Sequence, residues 1–310
     1  MSITHPALGA IGHTPVVQLQ RIVPPGSARV LVKLESANPT GSMKDRVARA
    51  MVEAALRDGR LKPGGTVVEY TGGTTGVSLA YVCAALGLRS HFVSSDAFSE
   101  EKLRTIRAFG GELALIPSDG KRITRELIEA MIAKATKLSQ QPGHWLCDQL
   151  ANRDGEAGYH ALGDELWQQA GGRIDAFVQA VGSAHSLQGT ATALRRHNPA
   201  VCIVAAEPAE SPVLSGGQPG AHRIEGIGIG FEPPLWRASE VSEVQSASTE
   251  ESNRMVRRLA RDEAVFTGTS SGLNVIAALR VAARLGPGAT VTTLAIDSGL
   301  RYLSSDVFEP

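Results

Sequence analysis

A lysine at the start of a helix is out of place, because the positive end of the helix dipole disfavours a cation. The segment Asn38-Pro39-Thr40-Gly41-Ser42-Met43-Lys44-Asp45-Arg46 reads as a turn that delivers Lys44 to that position. The bland account is a Ser42 cap followed by a solvated lysine. The chemical account is an ammonium destabilised enough for its neutral amine to form a Schiff base. Two further loops follow apolar runs and open helical segments: Thr71-Gly72-Gly73-Thr74-Thr75-Gly76 and Gly182-Ser183-Ala184-His185-Ser186. Backbone N–H groups at such helix starts, with hydroxyls interleaved, cradle a carboxylate or a phosphate. Two cradles in one chain suit a ligand with two anionic groups. A fourth loop, Gly268-Thr269-Ser270-Ser271-Gly272, also precedes a helix, and the plain reading of Ser270 there is a cap.

Those loops need a scaffold, and the sequence supplies one. Short apolar, often β-branched runs at 30–35, 66–70, 90–95, 112–117, 175–181, 202–208 and 290–296 read as buried strands. Helix-period stretches fall between them at 44–57, 77–86, 100–109, 121–138, 187–196, 250–262 and 274–284. This alternation predicts an α/β fold, doubly wound, with ligand loops at the carboxyl ends of its strands. The stretch 211–238, rich in Gly and Pro, is the most irregular.

At 310 residues the chain has room for two lobes with their own cores. Lys plus Arg and Asp plus Glu both number 31, and no basic cluster breaks the balance, which argues against a nucleic-acid partner. Cys83, Cys147 and Cys202 are too scattered for a zinc site or a redox pair, so no metal is expected and a reducing, cytoplasmic setting fits. The start, MSITHPALGAIGHTPVVQL, reads as neither an export signal nor an anchor, and no apolar run is long enough to span a membrane.

Lysine in a Ser-x-Lys-Asp-Arg turn, a Gly/Thr loop about 25 residues on and a late Ser-Ser-Gly together resemble the cysteine synthase and cystathionine β-synthase family of pyridoxal-phosphate enzymes, fold type II. Gly12-His13-Thr14-Pro15-Val16-Val17, Gly226-Ile227-Gly228-Ile229-Gly230-Phe231 and Asp297-Ser298-Gly299-Leu300-Arg301-Tyr302-Leu303 look like further family segments in the family's order. The resemblance implies two doubly wound lobes with mostly parallel sheets and pyridoxal 5'-phosphate in the cleft between them. Residues 36–150 would form the smaller, mobile, substrate-binding lobe, and 1–35 with 151–310 the larger, cofactor-anchoring one. Lys44 would carry the cofactor as an aldimine and act as catalytic base. Gly182, Ser183, Ala184, His185 and Ser186 would hold the cofactor phosphate, Thr74 would meet its 3′-oxygen, and Ser270 its pyridine nitrogen. Thr71, Gly72, Gly73, Thr75, Gln149 and Gly226 would bind substrate. A neutral hydroxyl at the pyridine nitrogen makes the ring a weaker electron sink than a carboxylate would, which suits β-elimination.

The implied reaction is β-replacement on an O-activated L-serine through an α-aminoacrylate, most simply giving L-cysteine from O-acetylserine or O-phosphoserine and sulfide. The expected assembly is a homodimer. The family's usual Thr-Ser-Gly-Asn-Thr-Gly is here 71–76, with Gly72 for Ser and Thr74 for Asn, and its Gly-Thr-Gly-Gly-Thr is here 182–186. Added Cβ atoms in the second loop restrict positive φ. His185 reads either as a phosphate ligand or as a partly exposed loop residue, with more weight on the latter. His13, His91 and His160 read as structural or solvated. No haem-binding segment precedes the first lobe, which argues against the regulated multi-domain members. Diaminopropionate-forming, thiosulfate-using and serine/threonine dehydratase-like activities share these residues and stay open, as does a non-catalytic homologue that binds a partner's carboxylate.

Overall fold

The structure is a computed structural model that describes residues 5–120 and 124–309. In chain order the elements are β1 (Val16–Gln18), β2 (Arg29–Leu34), α1 (Lys44–Asp58), β3 (Thr66–Tyr70), α2 (Thr74–Leu86), β4 (Arg89–Ser95), α3 (Glu100–Ala108), β5 (Glu112–Ile116) and α4 (Arg125–Ser139). Then follow β6 (His144–Leu146), α5 (His160–Gln169), β7 (Ala176–Ala180), α6 (His185–His197), β8 (Cys202–Pro208), β9 (Glu243–Ala247), α7 (Thr249–Glu263), α8 (Thr269–Leu285) and β10 (Thr290–Ala295). The chain divides into two compact units. One comprises the described residues up to Ile11 with Lys44–Gly158, the other Gly12–Met43 with those from Tyr159 onward.

The first unit carries a four-stranded parallel sheet in the order β5-β4-β3-β6. Helix α4 lays Leu127, Met131 and Leu138 against Val68 and Val93, a spacing that puts all three on one helical face. Each such side chain contributes about 1.5–3 kcal/mol when fully buried. The second unit carries six strands in the order β1-β2-β10-β7-β8-β9, with β1 antiparallel to β2 and the other pairs parallel. Val30, Val178, Val204, Leu273 and Val291 belong to its core. Strands β7 and β10 are buried at every position, as central parallel strands covered on both faces must be.

Each expected strand is present to within a residue or two. Strands β1, β6 and β9 and helix α5 are additional. The helix expected over 121–138 is α4, and its first three expected residues lie outside the described residues. Helices α2, α6 and α8 begin earlier than the hydrophobic pattern suggests, at Thr74, His185 and Thr269. Their first turns are polar and belong to the loops expected to bind ligands.

Both sheets contain a point where the strand order reverses. In the first unit the chain runs β3, β4, β5 to one side and returns to β6 on the other side of β3. In the second it runs β7, β8, β9 and returns to β10 on the other side of β7. Crevices for ligands open at the carboxyl ends of the strands flanking such reversals. The 71–76 loop leaves β3 and residues 147–149 leave β6. The 182–186 loop leaves β7 and residues 296–298 leave β10.

Candidate active site

The 71–76 loop is fixed by its own first residue. The buried Thr71 hydroxyl accepts from the N–H groups of Gly73 (3.0 Å) and Gly76 (3.1 Å), while the Thr71 carbonyl accepts from Ser94 Oγ at 2.8 Å. Thr71 therefore spends its side chain on the shape of the loop. Gly73 sits at φ 125°, and a Cβ there would lie 2.7 Å from Lys102 Cδ, so glycine is required twice over. Gly73 also occupies the cap position of α2 without a capping side chain, which leaves the positive helix end unquenched from that position. Thr75 Oγ1 donates to Gln149 Oε1 at 2.6 Å. Two expected substrate-binding residues, 74 positions apart in sequence, thus meet at the reversal between β3 and β6.

Gln149 is in turn fixed from below. Its N–H donates to Glu69 Oε2 at 2.9 Å, and Glu69 Oε1 accepts from the N–H of Tyr70 at 3.0 Å. Burial pushes the Glu69 carboxyl up to about 8; the N–H of Gln149 opposes the shift and the charge on Asp148 adds to it. The Cys147 thiol is held well above its ordinary range by burial and then by Glu69. It is therefore a packed thiol and not a rival nucleophile.

Lys44 is the first residue of α1 and is partly buried. The strand-like segment before it is anchored in the second unit. The Gly41 N–H donates to the Asn38 carbonyl at 2.8 Å and the Ser298 N–H to the Gly41 carbonyl at 3.0 Å. The Met43 N–H donates to the Ile296 carbonyl at 2.9 Å. Tyr159 Oη donates to the Met43 carbonyl at 3.3 Å. Chain continuity then sets the origin of the lysine side chain within a peptide bond of these contacts.

In the second unit the 182–186 loop turns from β7 into α6. Gly182 has no room for a side chain, since a Cβ would lie 2.5 Å from the Gly226 carbonyl oxygen. This brings the expected phosphate loop against the 226–231 segment, where the Gly228 N–H also donates to the Val181 carbonyl at 3.2 Å. Ala184 caps α6 at φ 72°, with no side-chain hydrogen bond. A non-glycine residue at that φ costs about 1–2 kcal/mol. Ser186 Oγ accepts from Gln179 Nε2 at 3.3 Å, so the hydroxyl hydrogen is left to donate elsewhere. His185 is buried, not partly exposed, and its Nδ1 lies 2.9 Å from Ser183 Oγ. The exposed-loop expectation fails because the helix starts at His185 itself, which turns the ring into the loop.

Beneath that loop lies a residue that the sequence did not flag. The β7–β10 ladder pairs only Val291 with Ala176 and Thr292 with Phe177, after which the two strands need another way to satisfy their inner backbone groups. Asn274 of α8 provides it. Its Oδ1 accepts from the Ala180 N–H at 2.6 Å, and its Nδ2 donates to the Leu294 carbonyl at 2.9 Å and to Gln179 Oε1 at 3.0 Å. Gln179 then reaches Ser186. Asn274→Ala is expected to destabilise the fold by about 2–3 kcal/mol, because it strands buried donors and acceptors. Urea unfolding with an unchanged m-value checks this.

Ser270 stands in the first turn of α8 between two hydroxyls that hold the fold. Thr269 Oγ1 accepts from the Glu225 N–H at 3.1 Å. Ser271 Oγ accepts from Thr267 Oγ1 at 2.6 Å and from the Ile296 N–H at 2.8 Å. Ser270 is buried, and among the described residues it makes no side-chain hydrogen bond. Its hydroxyl is therefore left for a ligand to use.

The structure therefore gathers Thr71, Gly72, Gly73, Thr74, Thr75 and Gln149 in the first unit, and Gly182 to Ser186 with Gly226 in the second. Glu69, Gln179 and Asn274 are the residues that reasoning from sequence missed. Polar side chains inside otherwise apolar runs were the available signal for Glu69 and Gln179.

The profile of the pyridoxal-phosphate dependent enzyme family matches residues 7–297. A cysteine synthase of Staphylococcus aureus is 41% identical over 300 residues, covering 96% of this chain and 95% of that protein. The crystal structure of a cysteine synthase from Entamoeba histolytica superposes with a TM-score of 0.92 at 34% identity, covering 99% of this chain and 91% of that one. An O-acetylserine dependent cystathionine β-synthase from Helicobacter pylori gives a TM-score of 0.90 at 35% identity, covering 97% and 98%. With a lysine at a helix start, two anion loops at strand-order reversals and this full-length likeness, the chain belongs to the family of pyridoxal-phosphate dependent enzymes.

Proposed function

We propose that this enzyme makes L-cysteine from an O-activated L-serine, O-acetylserine or O-phosphoserine, and sulfide. The observation that carries the reading is the Thr75–Gln149 pair, 2.6 Å apart at the start of α2, whose cap residue Gly73 has no side chain. With the Thr75 proton spent on Gln149 Oε1, the pair leaves the Gln149 amide N–H groups, oriented by Thr75, and backbone donors for one small carboxylate. The full-length likeness to cysteine synthases supports the same choice.

The residues fit the cofactor. An uncapped start of α6, the donor hydrogen of Ser186 and the side-chain-free Gly182 suit a phosphate. The uncommitted Ser270 hydroxyl suits a ring nitrogen. When bound, pyridoxal phosphate supplies an electron sink that lets the substrate α-proton and β-substituent depart. Lys44 would hold the cofactor through Nζ and, once displaced by the substrate amine, move the α-proton at the same atom. The 71–76 loop and Gln149 would orient the substrate by its carboxylate, which fixes the α-carbon for that transfer. Thr74 would donate to the cofactor's 3′-oxygen, and Gly226 would line the substrate side. Closure of the first unit, as the substrate-binding part, would keep water away. A homodimeric, cytoplasmic protein belongs to the same proposal. Among the described residues no helix is long and apolar enough to cross a membrane.

The test is to incubate the cofactor-loaded enzyme with each donor and sulfide and to quantify cysteine by mass spectrometry. Cysteine from at least one of the two donors is expected. Its absence with both, while another nucleophile is accepted, would move the enzyme to a different β-replacement reaction.

A further inference from the structure

We propose that Glu69 is the positioning residue of the substrate-carboxylate site, holding Gln149, and through it Thr75, in place from beneath. The proposal rests on the reading that Thr75 and Gln149 bind that carboxylate.

The geometry is a chain of two hydrogen bonds. Glu69 lies fully buried at the carboxyl end of β3, where its Oε2 accepts the Gln149 N–H at 2.9 Å, and Gln149 Oε1 accepts from Thr75 Oγ1 at 2.6 Å. The residue immediately before Gln149 is Asp148, held at φ 50°, a conformation that leaves the backbone little choice of direction without an outside anchor. Its carbonyl accepts from the N–H groups of Ala151 and Asn152 at 3.0 and 2.9 Å, so the turn is braced on one side by the chain that follows. Glu69 braces it on the other. No apolar side chain could do this in a strand otherwise packed with valines, and an unpaired buried N–H would be costly.

A carboxyl group beneath an anion site raises a question of charge. Burial pushes Glu69 up to about 8, the N–H of Gln149 pulls it down, Asp148 raises it, and the Tyr70 N–H and Cys147 lower it. The titratable groups that face it are Asp148 and Cys147 from the segment after β6 and the Tyr70 phenol from its own strand, itself raised by burial and then by Glu69. At neutral pH Glu69 is therefore uncharged. It holds Gln149 without placing a negative charge under an incoming carboxylate. Above pH 8 it ionises and opposes the substrate.

The expected result for the cofactor-loaded enzyme is that donor KM rises about tenfold between pH 7 and 9.5, as a buried like charge appears two hydrogen bonds away. The parallel change in kcat should be smaller, because bound substrate and transition state keep the same carboxylate. Glu69→Gln keeps an acceptor for the Gln149 N–H and cannot ionise. Its KM at pH 7 should stay within about threefold of the parent, and the additional rise should vanish. Asp148→Asn retains a residue suited to positive φ, removes the neighbouring charge and should move the step to lower pH. It decides the matter should Glu69→Gln fail to fold. Spectra of the cofactor recorded with L-serine, which binds without an activated leaving group, should show the same pH step in affinity. A parent that turns over the donor while both variants keep its KM–pH curve overturns the proposal alone. A parent inert toward every O-activated serine overturns the carboxylate reading and the proposal with it.

Discussion

Lys44→Ala is expected to leave a folded protein that no longer carries pyridoxal phosphate covalently and has lost at least three orders of magnitude in β-replacement rate. The fold should survive because the preceding backbone is held without the lysine side chain, through Gly41, Met43 and Ser298. Alanine is also the best helix former, and removing a cation from the positive end of α1 relieves about 0.3–1 kcal/mol. The melting temperature should therefore hold or rise slightly. The activity falls because one amine does two jobs. General acid–base transfer by a positioned side chain is worth about 10²–10⁴ in rate, and the covalent attachment that prepares the cofactor adds to that. Borohydride reduction followed by peptide mapping should place the pyridoxyl label on Lys44 in the parent and nowhere in the variant. A label on another lysine of the parent would remove Lys44 from the reaction.

The loops that carry this chemistry were legible for a physical reason. Central strands of a parallel sheet are buried on both faces, so β3, β7, β8 and β10 appear as largely apolar or β-branched runs, and whatever follows them lies at the ligand edge. Strand β6 has only three residues, and β9 is a mixed polar stretch, half-buried over most of its length at a sheet edge, so neither stands out from loop. The polar first turns of α6 and α8 broke the hydrophobic period and hid His185 and Ser270 from their own helices. Gln149 entered the expected site only through the family resemblance, because nothing in its neighbours marks it until β6 is paired with β3. Asn274 is the clearest loss. Its three bonds connect residues 20 to 95 positions away, and a lone Asn within an apolar helical run has no local pattern that predicts them. Glu69 and Gln179 were visible as polar intrusions in buried strands, a signal that points to a role without naming it.

Ser270→Asp is expected to retain the cofactor and lose about two to three orders of magnitude in β-elimination. Retention is expected because the substitution does not touch the proposed phosphate-binding groups, the 182–186 loop and the start of α6. Folding should tolerate the change, since an acidic residue in the first turn of α8 is favoured by the helix dipole, and Thr269 and Ser271 keep their bonds to Glu225, Thr267 and Ile296. The rate effect comes from charge. A hydroxyl beside the pyridine nitrogen leaves the ring unprotonated and only moderately electron-withdrawing, whereas a carboxylate holds a proton there and deepens the sink. With the introduced carboxylate holding a proton at the ring nitrogen, the bound cofactor would be too strong an electron sink to favour departure of the β-substituent. Each lost factor of ten corresponds to about 1.4 kcal/mol of barrier, so the expected loss needs about 3–4 kcal/mol, within reach of one buried charge. Ser270→Ala is the control: it removes a neutral hydrogen bond, worth about 0.5–1.5 kcal/mol, and should cost about tenfold or less. Cofactor content measured after denaturation, together with single-turnover decay of the donor, separates binding from chemistry in both variants. An aspartate variant that turns over at the parent's rate would mean that position 270 does not face the pyridine nitrogen.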